Sequence, residues 1–253
     1  FRGINGEYDT SVGVLNPKSE TLTIFGGNID VDKAIIKMNG EDQRTVQEEM
    51  QLKAMVLSWN RTFIKGDSDT NPAEFDGLQK RLVGGGTQVI ENSAAAGGAG
   101  LSLAKLDELI DAVEQPTHLI MNRAMRRLLS QAAKNTDVSG NLNWSKDDFG
   151  RRIYFYNDLP IIDLDKDDEN QEILPFTEAA ASGTAQCTSI YCVSLGDGKL
   201  VGLQNGSVEA DDLGLLDNGV HYRTSVEHLQ TIAMLTDKAG ARLRFISNAA
   251  VVS

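Results

Sequence analysis

The sequence predicts a mixed α+β fold from three observations. A long amphipathic stretch runs from Glu41 to Gly66, β-prone runs precede it, and a helix, strand, helix unit leads into a C-terminal region rich in short β-prone runs. Within the long stretch Leu52, Met55, Val56, Trp59 and Phe63 fall at i, i+3, i+4, i+7 and i+11, one stripe of a 3.6-residue period, and that stripe is expected to face a core. The opposite side carries Arg44, Gln47, Glu48, Lys53, Asn60 and Arg61 and is expected to face water or a neighbouring chain. A helix of about 22 residues is roughly 33 Å long, enough to cross a whole domain.

Before this helix, Ser11 to Leu15 and Thr21 to Phe25 read as a β-hairpin closed by Asn16-Pro17-Lys18-Ser19-Glu20. No large apolar segment precedes the hairpin to cover it, so it is expected to project and to need a partner. Gly26-Gly27-Asn28 reads as a bend, and Ile29 to Met38 as a further strand that enters the helix through Asn39-Gly40. Polar residues Lys65 to Asp76, with Pro72, end the helix, and Gly77 to Leu82 is a short amphipathic turn or helix.

Thr87 to Glu91 is strand-like, and Asn92 to Gly100 a small-residue loop. Ser102 is placed to cap a second helix, with Leu103, Leu106, Ile110 and Val113 inward and Pro116 as its stop. Thr117 to Met121 is a strand. Asn122 then caps a third helix reaching about Lys134, with Met125, Leu128, Leu129 and Ala132 inward. Late strands are expected at Arg152 to Tyr156, Pro160 to Leu164, Thr188 to Leu195, Lys199 to Leu203, Val220 to Val226 and Ala241 to Ile246. Turn signals stand at Asn157-Asp158, Gly196-Asp197-Gly198 and Asn205-Gly206. Val220 to Thr236 reads equally as one unusually long strand or as two with a bend.

The 253 residues suffice for one large domain or two smaller ones, and 41% hydrophobic content can fill a core. Lys+Arg 24 against Asp+Glu 36 gives a net charge of −12, which disfavours nonspecific attraction to nucleic acid. No apolar run approaches the roughly 18 residues that span a bilayer, and no signal-peptide pattern opens the chain, so a soluble protein is expected. The chain begins at Phe1, consistent with trimming, processing or missing leading residues.

Cys187 and Cys192 match neither a C-x-x-C motif nor a zinc site and are expected as reduced, half-buried thiols in a strand. Gly84-Gly85-Gly86 and Gly196-Asp197-Gly198-Lys199 lack the spacing of phosphate loops. Asp163, Asp165, Asp167 and Asp168 form an acidic string without the central Gly and terminal Glu of a calcium loop. His118, His221 and His228 sit in no H-E-x-x-H motif, and no G-x-S-x-G elbow accompanies them. His118 is expected beside a core strand, the other two on the late sheet. No catalytic residue, cofactor or metal site is therefore assigned.

The order of elements resembles that of tailed-bacteriophage major capsid proteins, the Hong Kong 97-type fold. Short phrases carry the resemblance as well: Phe63-Ile64-Lys65-Gly66-Asp67, Glu74-Phe75-Asp76-Gly77-Leu78, Leu106-Asp107-Glu108-Leu109-Ile110-Asp111 and Leu119-Ile120-Met121-Asn122-Arg123. The resemblance implies an N-terminal segment and E-loop hairpin over 1–28 and a peripheral (P) domain over 29–101 with a spine helix at 42–65. It implies an axial (A) domain over 102–219 and strands returning to the P domain over 220–253. It further implies a structural, non-enzymatic shell subunit of a phage or prophage head, assembled in the host bacterial cytoplasm.

Partners would be copies of the chain itself, in pentamers and hexamers, with scaffold, portal and decoration proteins as further ones. Inter-subunit contact would fall on the hairpin tip, Asn16, Pro17, Lys18, Ser19 and Glu20, and on the polar helix face, above all Arg44, Glu48, Lys53 and Arg61. An N-terminal arm usual in such proteins has almost no counterpart before Glu7, and no motif identifies a crosslinking partner for Lys18. Alternatives are an encapsulin-like compartment of the same fold, a tail or baseplate protein, and a soluble α+β enzyme.

Overall fold

The structure, a computed structural model, describes residues 17–39, 42–83, 86–134, 142–146, 152–181 and 185–252, with Gly150 and Gly183. The expected hairpin strand Ser11 to Leu15 and the tip residue Asn16 lie outside these residues.

Strand β1 (Thr23–Asp32) runs straight through Gly26-Gly27-Asn28, where a bend was expected, because its antiparallel ladder with β10 (His221–Met234) is continuous from Thr23↔Gln230 to Asp32↔His221. Gly26 serves close approach instead: a Cβ there would lie 2.3 Å from the Val226 carbonyl oxygen. The expected strand over Ile29 to Met38 stops at Asp32. Its side chain accepts a hydrogen bond from the Ala34 N–H at 2.7 Å and so starts helix α1 (Lys33–Asn39).

Helix α2 spans Asp42–Lys65. It ends where Gly66 N–H bonds back to Thr62 O and Gly77 N–H bonds to Gly66 O, both at 2.8 Å, and α3 (Leu78–Arg81) follows. A Cβ on Gly66 would stand 2.2 Å from Phe75 O, and one on Gly77 2.6 Å from Thr62 O, so the knot closes only with glycines. Strand β2 (Val89–Glu91), helix α4 (Leu103–Asp111), strand β3 (His118–Asn122) and helix α5 (Arg123–Ala132) come next. Asn122 caps α5 as expected, accepting from Met125 N–H at 2.7 Å. Ser102 stands at the start of α4, but its side chain makes no capping bond.

Strands β4 (Leu142–Lys146), β5 (Arg152–Tyr156), β6 (Leu159–Leu164), β7 (Glu178–Ala179) and β8 (Ala185–Val193) follow, then β9 (Leu200–Leu215), β10 and β11 (Gly240–Ser247). Asn157 and Asp158, at φ 46° and 63°, make the two-residue turn between β5 and β6. Asn205-Gly206 is not a turn. Gly206 (φ 81°) lies in a bulge where pairing jumps from Glu227↔Glu209 to Leu229↔Asn205, so β9 continues for 16 residues. Strand β10 is single and 14 residues long.

Among the described residues the strands form two sheets. A three-stranded antiparallel sheet has the order β1-β10-β9, and an eight-stranded mixed sheet has the order β2-β11-β8-β3-β6-β5-β4, with β7 on β8. The central strands of the mixed sheet are buried on both faces. Leu119 and Met121 of β3 meet Leu106 and Leu109 of α4 and Met125 and Leu129 of α5. On the other face Ile120, Tyr191 and Val193 meet Ile64 at the end of α2, together with Leu78 and Leu82. Both cysteines are fully buried in β8 rather than half-buried. Nine-tenths buried Arg242 donates to Ser189 Oγ (3.0 Å) and Glu178 Oε2 (2.9 Å), which pairs the charge inside the sheet.

Candidate functional site

The long helix faces the three-stranded sheet with its expected apolar stripe, Leu52, Met55, Val56 and Trp59, and the same face carries Arg44 and Glu48 nearer its start. Arg44 and Glu48, expected outward, point at the three-stranded sheet. Arg44 reaches Asp212 at 2.6 Å, Glu48 at 3.1 Å and Thr224 Oγ1 at 2.8 Å, while the Thr224 hydroxyl donates to Glu48 at 2.8 Å. The hydrogen bond from Arg44 holds the Asp212 carboxyl below the usual carboxylate range, and Asp212 in turn raises the guanidinium. The sheet surface facing this end of the helix offers carboxylate and hydroxyl groups, which select charged partners. Only Met55 joins the small apolar cluster of Ile29, Val31 and Val226.

Leu52 and Val56, expected to be buried, remain 45% and 60% exposed. Val46, Met50 and Leu57, at i, i+4 and i+11, make a second apolar stripe pointing outward, 46%, 59% and 37% exposed, with exposed Lys53 at i+7. Leu52, Met55, Val56 and Trp59, with Phe25 and Val208 opposite, line an apolar groove of about 250 Å³. A second groove of about 290 Å³ begins at the same Trp59 and continues past Phe63 to Ile162 and Leu195. Arg61 pairs with Glu74 at 3.3 Å, and Lys53 has no ion-pair partner among the described residues. A sequence signal for the outward stripe existed in Val46, Met50, Lys53 and Leu57. It was outweighed by the stronger run of Leu52, Met55, Val56, Trp59 and Phe63.

Of the hairpin-tip residues, Pro17, Lys18, Ser19 and Glu20 are described, and all are exposed. Lys18 lies 3.3 Å from Asp237. Glu20 takes both arms of Arg81 at 2.6 and 2.9 Å, and Arg81 also donates to Ile232 O. These bonds tie the end of the segment to its own subunit next to α3, away from Arg44 and Lys53. Other exposed apolar groups sit on sheet edges: Val208, Leu213 and Leu215 on β9, and Trp144 on β4, stacked under Arg152 at 4.7 Å.

Glu20, Glu74 and Asp76 line a cleft of about 390 Å³, and each is paired, with Arg81, Arg61 and Lys80 in turn. His118 starts β3, whereas His221 and His228 lie on β10. Burial pushes the Cys192 thiol up to about 12. Asp163 and Asp165 of the acidic string pair with Arg123, and buried Asp167 accepts the Glu169 and Gln171 N–H groups. Among the described residues no group of His, Cys, Asp and Glu has the arrangement of a metal site, and no helix is long and apolar enough to cross a membrane.

Solved structures share this two-sheet body with its long helix. The encapsulin SrpI from Synechococcus elongatus PCC 7942, in its holo complex, aligns over 95% of this chain and 79% of its own, with a TM-score of 0.72 at 17% identity. The capsid of an empty GTA particle aligns over 96% and 81%, with a TM-score of 0.57 at 14% identity. The head of Helicobacter pylori bacteriophage KHP40 aligns over 93% and 80%, with a TM-score of 0.58 at 10% identity. The fold is the α+β, Hong Kong 97-type capsid fold.

The family described as Major capsid protein GP7 matches residues 1–106, which include β1, the long helix and the start of α4. No curated protein sequence gives a significant match. That match spans the first 106 residues, and it and the fold both make the chain similar to phage major capsid proteins.

Proposed function

We propose that copies of this chain tile the closed icosahedral head of a tailed phage or prophage around packaged DNA, and that the protein works by assembly rather than catalysis. The observation that carries this reading is the uncovered outer side of the long helix. A 24-residue helix that points Arg44 and Glu48 at its own sheet and leaves Val46, Met50 and Leu57 outward has a second apolar side to cover. In the proposed shell, a neighbouring copy covers this side.

The proposed units are the N-terminal segment and E-loop hairpin (1–28), a P domain (29–101), an A domain (102–219) and the strands that return to the P domain (220–253). A domains meet at fivefold and sixfold axes in pentamers and hexamers, and many modest contacts sum through symmetric repetition. Assembly in the host cytoplasm, with scaffold, portal and decoration proteins as partners, belongs to the same proposal. A net charge of −12 lets the wall enclose DNA without gluing it in place. Tight binding of duplex DNA by purified shells at physiological salt would contradict this last point.

Negative-stain microscopy of the expressed protein, with its scaffold where one is encoded nearby, tests the shell. Hollow particles or isolated pentamers and hexamers are expected, and a stable monomer with enzymatic turnover would overturn the reading. A compartment for a protein cargo is the second reading, favoured by the TM-score of 0.72 to the encapsulin against 0.57 and 0.58 to the capsid and head structures. The content of particles from the native host separates the two: packaged DNA supports the head, and a single co-purifying cargo enzyme supports the compartment.

A further inference from the structure

The two faces of the three-stranded sheet differ. Odd-numbered β1 residues such as Ile29 and Val31 face α2, whereas Ile24 points from the opposite face and is 70% exposed. On that outer face Ile24 is opposite Leu229, and two positions along β10 Glu227 is directly opposite Glu209 of β9. Like charges at directly opposed positions repel. Neither carboxylate has an ion-pair partner among the described residues. These four side chains line a shallow pocket of about 150 Å³, with an apolar side at Ile24 and Leu229 and an acidic rim.

Helix α1 presents the complementary chemistry. Its Ile36 packs inward against Ile29 and Val31, which turns Ile35 (37% exposed), Lys37 and Met38 (75% exposed) to the outside. Met38 is an unbranched, adaptable apolar knob, and Lys37 beside it has no ion-pair partner among the described residues. Because α1 packs on the α2 side of the sheet and the pocket opens on the other side, the two cannot meet within one copy. A contact between them joins unlike surfaces of two copies, the heterologous kind that closes rings.

We propose that α1 of one copy docks on the outer sheet face of the next, with Met38 entering the pocket beside Ile24 and Leu229 and Lys37 neutralising Glu209 and Glu227. The contact rests on the shell reading and names one of its interfaces.

The test uses full-length protein assembled in vitro and followed by sedimentation velocity, with thermal melts as the folding control. Lys37→Glu is expected to raise the concentration needed for half-assembly about tenfold or more, with an unchanged melt, because it sets three carboxylates together. Glu227→Lys alone is expected to weaken assembly, and the pair Lys37→Glu with Glu227→Lys to restore it. Met38→Asp is expected to weaken assembly without rescue by the charge swap. Normal assembly of Lys37→Glu, or a double variant no better than the worse single one, would overturn the contact. Failure of the unsubstituted protein to assemble under any condition would count against the shell reading itself.

Discussion

Met50→Asp tests the outward apolar stripe of the long helix. Fully burying a Met, Leu or Val side chain is worth about 1.5–3 kcal/mol. Scaled by the exposed fractions of Val46 (46%), Met50 (59%) and Leu57 (37%), covering the stripe contributes about 2–4 kcal/mol per copy. Met50→Asp removes about 1–2 kcal/mol of that and adds the desolvation of a carboxylate at the interface. Each 1.4 kcal/mol lost from a contact weakens it about tenfold, so shells should be replaced by small species at concentrations where the parent assembles fully. The isolated subunit should barely notice, since an exposed helix position costs at most about 0.7 kcal/mol through propensity. Sedimentation velocity and negative stain read the first effect, and thermal unfolding of unassembled protein reads the second. Shells that form normally would refute the claim that this stripe is covered. A collapsed melting temperature would place Met50 in the subunit's own core instead.

Three further outcomes are expected. Glu178→Ala strips buried Arg242 of its carboxylate and should cost about 3–5 kcal/mol in denaturant unfolding, far more than an exposed control such as Glu169→Ala. Asp67, held at about 2 chiefly by Lys80, which also reaches Asp69 and Asp76, has a folded pKa depressed below its ordinary 3.8. The stabilisation is therefore present above about pH 4 and lost as the pH falls through about 2, so hydrogen exchange in residues 66–77 should speed up over that window in the parent and much less in Lys80→Ala. Cys192, fully buried and pushed up to about 12, should resist a thiol reagent at pH 8 in the native state and react once the chain is unfolded; rapid labelling of folded protein would show that β8 opens.

Much of the fold can be read directly from local sequence. The bounds of the long helix follow from its apolar and charged period and from the glycines and polar residues after Lys65. The cap at Asn122, the turn at Asn157-Asp158 and the continuous apolar run of β3 each depend on neighbours within a few positions, and so do their sequence signals. Short-range signals misled where a distant strand supplied the deciding partner. Gly26-Gly27 and Asn205-Gly206 carry turn chemistry, yet β10 pairs through both, absorbing the first as a close approach and the second as a bulge. Strand β4 has only two apolar residues to announce it, Leu142 and Trp144, and exists through its ladder with β5.

The surfaces on which function depends divide the same way. Sequence by itself determined that residues 42–65 form a long two-sided helix and that the element order resembles that of the Hong Kong 97-type fold. Only the tertiary structure decided that Arg44 and Glu48 lie on the sheet side of that helix and that Val46, Met50 and Leu57 stay uncovered. Helical periodicity says which residues share a face, but a face is buried by what it meets. Here the sheet meets it with Asp212 and Thr224, so Arg44 and Glu48 turn inward and an apolar stripe is left for another copy.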